Sequence, residues 1–314
     1  MGSHCFMPVF DVAIVGARCA GSPLATLLAQ RGHSVCVLDK AQFPSETPST
    51  HIIQPRGASS LERIGALDAV LAAGAATIES FTMVNDDVRI EDDFDRALFP
   101  HPGLCVRRVT LDSALADAAV AAGADVRTGV KVTGLIRADG RVTGVETDHG
   151  PVHARLVVGA DGRQSRVAKA VDAQEYSTTP MGRLPVWGYF EGVGDREGRI
   201  RIARIGENGY LASPTDSGLY MVCVALSGGR TADREEAFDV ALRAVEPCLE
   251  CDAHIVESLR QPVVDLENLV GPVRSLGRDH EDRVHRGTRL CQAGSVVAHQ
   301  FLRDEEADVR QIAG

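Results

Sequence analysis

No apolar run in this chain approaches the roughly 18–20 residues that a membrane-spanning helix needs. No charged-then-apolar leader precedes the first strand-like segment either, so a cytoplasmic protein with no membrane span is expected. A basic excess is also missing. The formal net charge is −10 and the pI near 5.5, which argues against nucleic acid or an anionic membrane as partner, because both need a basic face. Cysteine is sparse: eight in 314 residues are too dilute for a disulfide scaffold. Cys36 in SVCVLD and Cys223 in YMVCVAL sit in apolar runs, as buried reduced thiols do. Cys248-Leu-Glu-Cys251, with His254 beyond it, offers neither the fourth ligand nor the second ligand pair of a zinc site, so no metal is expected. With no G-x-S-x-G elbow and no H-E-x-x-H helix, hydrolase chemistry has no residues to stand on.

What is present is an ordinary globular composition, 44% hydrophobic and 24% charged, on a length that favours two structural units. The opening MGSHCFM has no hydrophobic periodicity and is set aside. FDVAIVGA is β-branched, continuous and closed by glycine, the pattern of a buried parallel strand. SPLATLLAQRG puts Leu24, Leu27 and Leu28 on one helical stripe and stops at Gly32, and HSVCVLDK is a second buried strand. Together they make a βαβ unit.

Further on, Leu61, Ile64, Leu67 and Leu71 fall at helical spacing between Gly57 and Gly74. The acidic stretch NDDVRIEDDFDRALF reads as a solvated edge or loop. TLDSALADAAVAAGAD predicts a helix capped by Thr110, with Leu111, Leu115 and Ala118/Ala119 on one face and a stop at Gly123. The period then changes to two. Turn residues at Asp139-Gly140 and His149-Gly150-Pro151 divide three antiparallel strands, the last running into RLVVGA. VWGYFEGV, RIRIARI, YLASP and YMVCVAL continue as strands, followed by a helix at REEAFDVALRAV. These imply a second domain on an antiparallel sheet.

The chemistry is concentrated in GARCAG, residues 16–21, between the first strand and helix. Such a turn aims backbone N–H groups and the positive end of a helix dipole at one point, which suits a pyrophosphate. Gly16 supplies the turn and Gly21 lets the helix approach the sheet. Arg18 replaces the glycine that normally allows backbone and phosphate to come close. Either its Cβ points away from the ligand or its guanidinium joins the phosphate site. The acid expected about 20 residues beyond the first glycine, to bind a ribose hydroxyl, is Asp39.

These motifs, followed by CVRRVTLDSALADAA and LVVGADGRQSRVAKAV, resemble the group A flavoprotein monooxygenases of the p-hydroxybenzoate hydroxylase fold. FPSETPSTHIIQP after GARCAG is similar to a branch near the geranylgeranyl-reductase-like proteins. The resemblance runs from Asp11 to about Leu226. It implies an α/β Rossmann-type FAD-binding domain with a β-meander, joined to an antiparallel-sheet substrate domain. The FAD-binding parts would be 7–75, 100–172 and a shortened or diverged 265–314, and the substrate domain 76–99 and 173–264.

By the same resemblance, Gly16, Ala17, Arg18, Cys19, Ala20 and Gly21 with Asp39 and Lys40 bind the ADP half of FAD. Arg108, with Arg107 as its neighbour, contacts FAD at the start of R-x-x-L-D. Asp161 and Gly162 of G-A-D-G touch FAD and help to position the nicotinamide donor. A Ser/Asp register choice in the eroded third motif favours Asp279 over Ser295 for the ribityl chain. His51 lies in a loop that runs near the flavin in the family and is expected at the surface. The implied activity is NAD(P)H-dependent hydroxylation of an aromatic or polyketide-like small molecule through a flavin C4a-hydroperoxide. The alternatives are C=C reduction or a non-catalytic FAD-binding remnant. Such a hydroxylase needs no protein nucleophile, only binding, orientation and a dry pocket, so no catalytic residue is singled out. Halogenases of this fold carry a W-x-W-x-I-P segment, and with Trp187 the single tryptophan halogenation is not expected.

Overall fold

A computed structural model describes residues 9–45, 47, 51–174, 183–190, 198–206 and 208–227. In chain order the elements are β1 (Phe10–Val15), α1 (Gly21–Ala29), β2 (Val35–Asp39), β3 (Ile52–Ile53), α2 (Pro55–Arg63), α3 (Leu67–Ala72), β4 (Ala76–Ile78), β5 (Ser80–Asn85), β6 (Val88–Asp93) and β7 (Gly103–Cys105). They continue with α4 (Arg108–Ala121), β8 (Asp125–Thr128), β9 (Val132–Ala138), β10 (Arg141–Thr147), β11 (Val152–Gly159), α5 (Arg166–Ala170), β12 (Arg183–Phe190), β13 (Arg199–Ile205), β14 (Asn208–Pro214) and β15 (Tyr220–Ser227). The described chain divides into two compact units, one holding 9–43 and 115–174, the other 44–114 and 183–227.

The first unit is built on a six-stranded sheet of order β8-β2-β1-β11-β10-β9. β8, β2, β1 and β11 run parallel, and β10 and β9 continue the sheet antiparallel. β1 and β2 are apolar throughout because both faces are covered. Val12, Ile14, Val35 and Val37 pack with Ala25, Leu24 and Leu28 of α1 and with Ala119. Ala13, Val15, Cys36 and Leu38 face Val130, Val132, Val145 and Val152. Each such side chain contributes on the order of 1.5–3 kcal/mol when fully buried. The three-strand meander is present as predicted, turning at Asp139-Gly140 between β9 and β10. The architecture is the expected α/β, Rossmann-type one.

The second unit holds a six-stranded sheet of order β12-β15-β14-β13-β5-β6 and a three-stranded sheet of order β3-β7-β4. The larger sheet is antiparallel except where β13 runs parallel to β5. Ile78, Cys105, Tyr189, Ile200, Leu219 and Met221 form its core. The acidic stretch is the solvated edge its charge suggested: β6 is the last strand and every residue in it is exposed.

Two local expectations need correcting. The helical spacing between Gly57 and Gly74 is cut in two, because Gly65 takes a φ of 74° and ends α2. Its N–H bonds to Glu62 O and that of Ala66 to Leu61 O, a closed C-terminal motif that redirects the chain. Leu61, Ile64 and Leu67 stay buried, but Leu71 is exposed. Thr110 is not an N-cap, since α4 starts at Arg108 and the Thr110 hydroxyl donates to Asp216 instead. The helix predicted at REEAFDVALRAV and the Cys248, Cys251 and His254 group lie outside the described residues. Among the described residues no helix is long and apolar enough to cross a membrane.

Candidate functional site

GARCAG occupies the turn from β1 into α1. Gly16 has a φ of 104°, and its N–H reaches Leu38 O at 2.7 Å. Space decides its identity as much as conformation does. A Cβ there would lie 2.3 Å from Ala160 O, and one on Gly21 would lie 1.7 Å from Gly16 O. No residue but glycine fits either place.

Asp39, buried at the end of β2, fixes the turn from below. Its Oδ2 accepts the Ala17 N–H at 2.9 Å and its Oδ1 the Ala41 N–H at 2.8 Å. One bond to each oxygen leaves carboxylate acceptor capacity, because an ionised carboxylate offers about four lone-pair sites. At the start of α1 the N-cap position is Ala20, which has no capping side chain, and the first turn carries no acid. The positive end of this nine-residue helix is therefore not neutralised by side chains of its own first turn. A crowded two-glycine turn, a helix whose first turn carries no acid and a ribose-competent acid fit the ADP half of FAD.

Arg18, at the substituted glycine, extends toward the loop after β2, where its guanidinium carbon stands 5.3 Å from the centre of the Phe43 ring. Cys19, Ala20 and Lys40 are exposed around it.

G-A-D-G is brought to the same edge of the sheet. The Ala160 N–H donates to Val15 O at 2.7 Å, so the end of β11 lies directly against the GARCAG turn. The Asp161 side chain is engaged locally, however. Oδ1 accepts the Ser165 hydroxyl and Oδ2 the Arg166 N–H, both at 2.6 Å, while Ser165 caps α5 through the Ala168 N–H. Gly162 follows at a φ of 77°. Asp161 thus carries out the turn-stabilising role open to any Asp at a strand end.

In the second unit the two arginines of CVRRVTLD part company. Arg108 makes a bidentate pair with Asp112, one turn along α4, at 2.9 Å for both bonds. Arg107 turns to Asp216 in the β14–β15 connection. That carboxylate accepts the Arg107 backbone N–H at 2.8 Å, its Nε at 3.2 Å, the Thr110 hydroxyl at 2.6 Å and the Thr215 hydroxyl at 3.0 Å. Burial works against the charge of Asp216, yet the Thr110 and Arg107 bonds outweigh it and hold the carboxyl below its ordinary value.

His51 was expected at the surface and is instead 3% exposed, with its Nε2 bonded to the Tyr189 hydroxyl. Pairing of β3 with β7 draws it inward, its carbonyl accepting the Val106 N–H, and it holds a φ of 65°. The Arg107 guanidinium lies 6.0 Å from the Tyr189 ring centre, which links the two polar groups. Neither Asp216 nor Tyr189 carries a motif. On the same unit, Met83, Ile90, Ile202, Leu211 and Cys223 line a cavity of about 490 Å³, with Arg204 also at its wall. Asp279 lies outside the described residues.

Residues 9–237 match the family model for the FAD binding domain. The chain belongs to that family. It is 32% identical to protein FixC of Escherichia coli over 167 residues, 51% of this chain and 38% of that protein. It is 29% identical to 6-methylpretetramide 4-monooxygenase of Streptomyces rimosus over 64% of this chain and 50% of that one. With menaquinone reductase of Mycolicibacterium smegmatis it shares 30% over 57% and 44% respectively. The chain thus spans half or less of the curated relatives it matches. In fold it resembles Pseudomonas aeruginosa PqsL in complex with 2-aminobenzoylacetate, at a TM-score of 0.66 and 19% identity, covering 80% of this chain and 70% of that one. The myxobacterial halogenase CndH gives the same TM-score at 24% identity, over 82% and 61%.

Proposed function

We propose that this chain is the FAD-binding part of an FAD-dependent oxidoreductase that uses NAD(P)H to hydroxylate an aromatic or polyketide-like small molecule. The observation that carries this is the Gly16–Gly21 turn with Asp39 beneath it, in a chain that belongs to an FAD-binding family. FAD, when bound, supplies hydride acceptance and, for hydroxylation, oxygen activation. The chain's own residues bind and orient. Gly16 to Gly21 and Asp39, with Lys40 beside it, hold the ADP half; Arg107, Arg108, Asp161, Gly162 and Asp279 serve the rest of the cofactor. In this reading 7–75, 100–172 and 265–314 make up the FAD domain and 76–99 with 173–264 the substrate domain, although by compactness 44–75 and 100–114 group with 183–227.

The apolar cavity walled by Met83, Ile90, Ile202, Leu211 and Cys223 supports a flat, largely uncharged substrate body. A second reading, reduction of a C=C bond, is favoured by the likeness to a menaquinone reductase. The absorption spectrum of the purified protein tests the cofactor. Flavin bands, with FAD released on denaturation, are expected; a colourless protein that takes up no added FAD would overturn the cofactor assignment, and a yellow one whose flavin NAD(P)H does not reduce would favour the non-catalytic remnant.

A further inference from the structure

We propose that β6 is a pairing edge for a second copy of this chain: two β6 strands join antiparallel about a two-fold axis at Ile90, and the two larger sheets become one. The inference stands apart from the cofactor reading.

β6 ends the larger sheet, and among the described residues no strand pairs with its outer side. On its inner side the Phe94 N–H donates to Glu79 O at 2.8 Å, just beyond the Ser80–Asp93 pair. Antiparallel pairs alternate between hydrogen-bonded and non-bonded. Val88, Ile90 and Asp92 therefore direct their backbone groups to β5, and Arg89, Glu91 and Asp93 direct theirs to the outer edge. The Asp93 N–H is taken by the Asp92 carboxylate at 2.9 Å. Arg89 and Glu91 are left to extend the sheet.

Directly opposed residues of an antiparallel pair share one face of the sheet, and two-fold symmetry then restricts the registers. With the axis at Ile90, Arg89 lies opposite the partner's Glu91, and Glu91 opposite the partner's Arg89. Both are hydrogen-bonded pairs, which gives four backbone bonds. The two Ile90 side chains meet in the non-bonded pair, where side chains come closest. Moving the axis to Arg89 sets two arginines face to face. Moving it to Glu91 sets two glutamates face to face and puts Ile90 against Asp92. Charge thus selects one register, although charged edges discourage pairing with a generic strand. Within one copy Arg89 already bonds Glu91, so the four side chains alternate in sign around the axis.

Apolar surface favours the same arrangement. Met83, Val88 and Ile90 are 46%, 57% and 55% exposed. Cys223, Leu211, Ile202, Met83 and Ile90 stand in one cross-strand row from β15 to β6, and the pairing carries that row into the second copy. Against it, Asp87 and Asp93 face each other at both ends. The six residues of β6 are also few beside the roughly 20–30 a side of a standard interface. The dimer is therefore a concentration-dependent equilibrium.

Sedimentation of the full chain over rising concentration tests this. Wild type should pass from monomer to dimer on the order of 10–100 μM. Arg89→Glu and Glu91→Arg set like charges opposite one another, and each should weaken association at least about tenfold. An equimolar mixture of the two should regain it, because every facing pair is again of opposite sign. Asp87→Lys, which would face Asp93, should tighten the dimer. Ile90→Cys should form an intermolecular disulfide on mild oxidation, since the Cα atoms of a non-bonded pair lie about 4.5 Å apart. Asp92→Cys, displaced from the axis, should not, and this comparison decides the register even where a charge variant lowers the thermal midpoint. Wild type that stays monomeric up to about 500 μM would overturn the proposal. So would a dimer indifferent to Arg89→Glu, a mixture no tighter than its components, or equal cross-linking from positions 90 and 92.

Discussion

Ala17 and Ala41 donate their N–H groups to opposite oxygens of the Asp39 carboxylate, at 2.9 and 2.8 Å. One side chain thus holds the GARCAG turn and the loop after β2 in fixed positions. It also keeps acceptor capacity for a ribose. Asp39→Ala removes the support and the ligand bond together. FAD affinity should fall by an amount on the order of 1.5–3 kcal/mol for the ligand bond, with a further loss as the turn loosens. Asp39→Asn, which can still accept one N–H, should lose less. Equal affinity for all three proteins in a flavin fluorescence titration would remove Asp39 from the site.

Asp216 is fully buried and closes four hydrogen bonds from Arg107, Thr110 and Thr215. Asp216→Ala would leave the Arg107 guanidinium, itself mostly buried, without its carboxylate. Breaking one side of a buried pair costs about 3–5 kcal/mol, readable as a drop in the urea midpoint.

The same carboxyl is held below its ordinary value in the folded chain. Its contribution to stability is therefore complete above the unfolded value of about 3.9 and is lost as pH falls through the lower folded value. Wild type and Asp216→Asn should differ most near neutral pH, and the difference should shrink in acid below about pH 4. A gap in unfolding free energy that widens toward acid would contradict the sign.

His51 holds a left-handed backbone with a φ of 65°, which costs a non-glycine residue roughly 1 kcal/mol. His51→Gly and His51→Ala both lose the bond to Tyr189. Only glycine also removes the backbone strain, so His51→Gly should be the more stable of the two despite its greater freedom when unfolded. The reverse order in thermal unfolding would show that this backbone is not strained.

Burial pushes the thiols of Cys36 and Cys105 up to about 12 and that of Cys223 up to about 11. Cys19 is exposed at the turn. Mild alkylation near pH 8 followed by peptide mapping should label Cys19 and leave these three until the chain is denatured. With FAD bound at the GARCAG turn as proposed, Cys19 should be protected, since it stands in that turn. Labelling of Cys19 that is indifferent to added FAD would place the cofactor elsewhere.

Local chemistry made the first unit legible. A continuous β-branched run, a glycine turn and an acid at the end of β2 are all short-range signals, and the meander shows its period of two. The site in the second unit was not legible in the same way. Asp216 meets Arg107 across more than a hundred positions, and nothing in PTDSG marks it as the partner of CVRRVTLD. His51 looked like a loop residue because its burial depends on β3 pairing with β7. Asp161 shows the opposite limit: its motif was plain, yet the structure directs its carboxylate to α5.

Reaction type separates the two oxidoreductase readings. Gly16, Asp39, Arg108 and Asp161 would serve both equally, so substitutions there weaken either activity without distinguishing them. Oxygen does distinguish them. A hydroxylase consumes NAD(P)H and oxygen together, faster with substrate bound, and incorporates one oxygen atom into the product. A C=C reductase passes the same reducing equivalents to carbon and needs no oxygen. Favouring hydroxylation are the R-x-x-L-D segment, the meander and G-A-D-G-R-Q-S-R in series, with an apolar sheet cavity suited to a flat ring system. Favouring reduction are the STH loop and the likeness to a menaquinone reductase. The expected outcome is substrate-stimulated oxygen uptake with label from ¹⁸O₂ in the product. Turnover that persists under strict anaerobiosis with chemically reduced flavin would reverse the assignment.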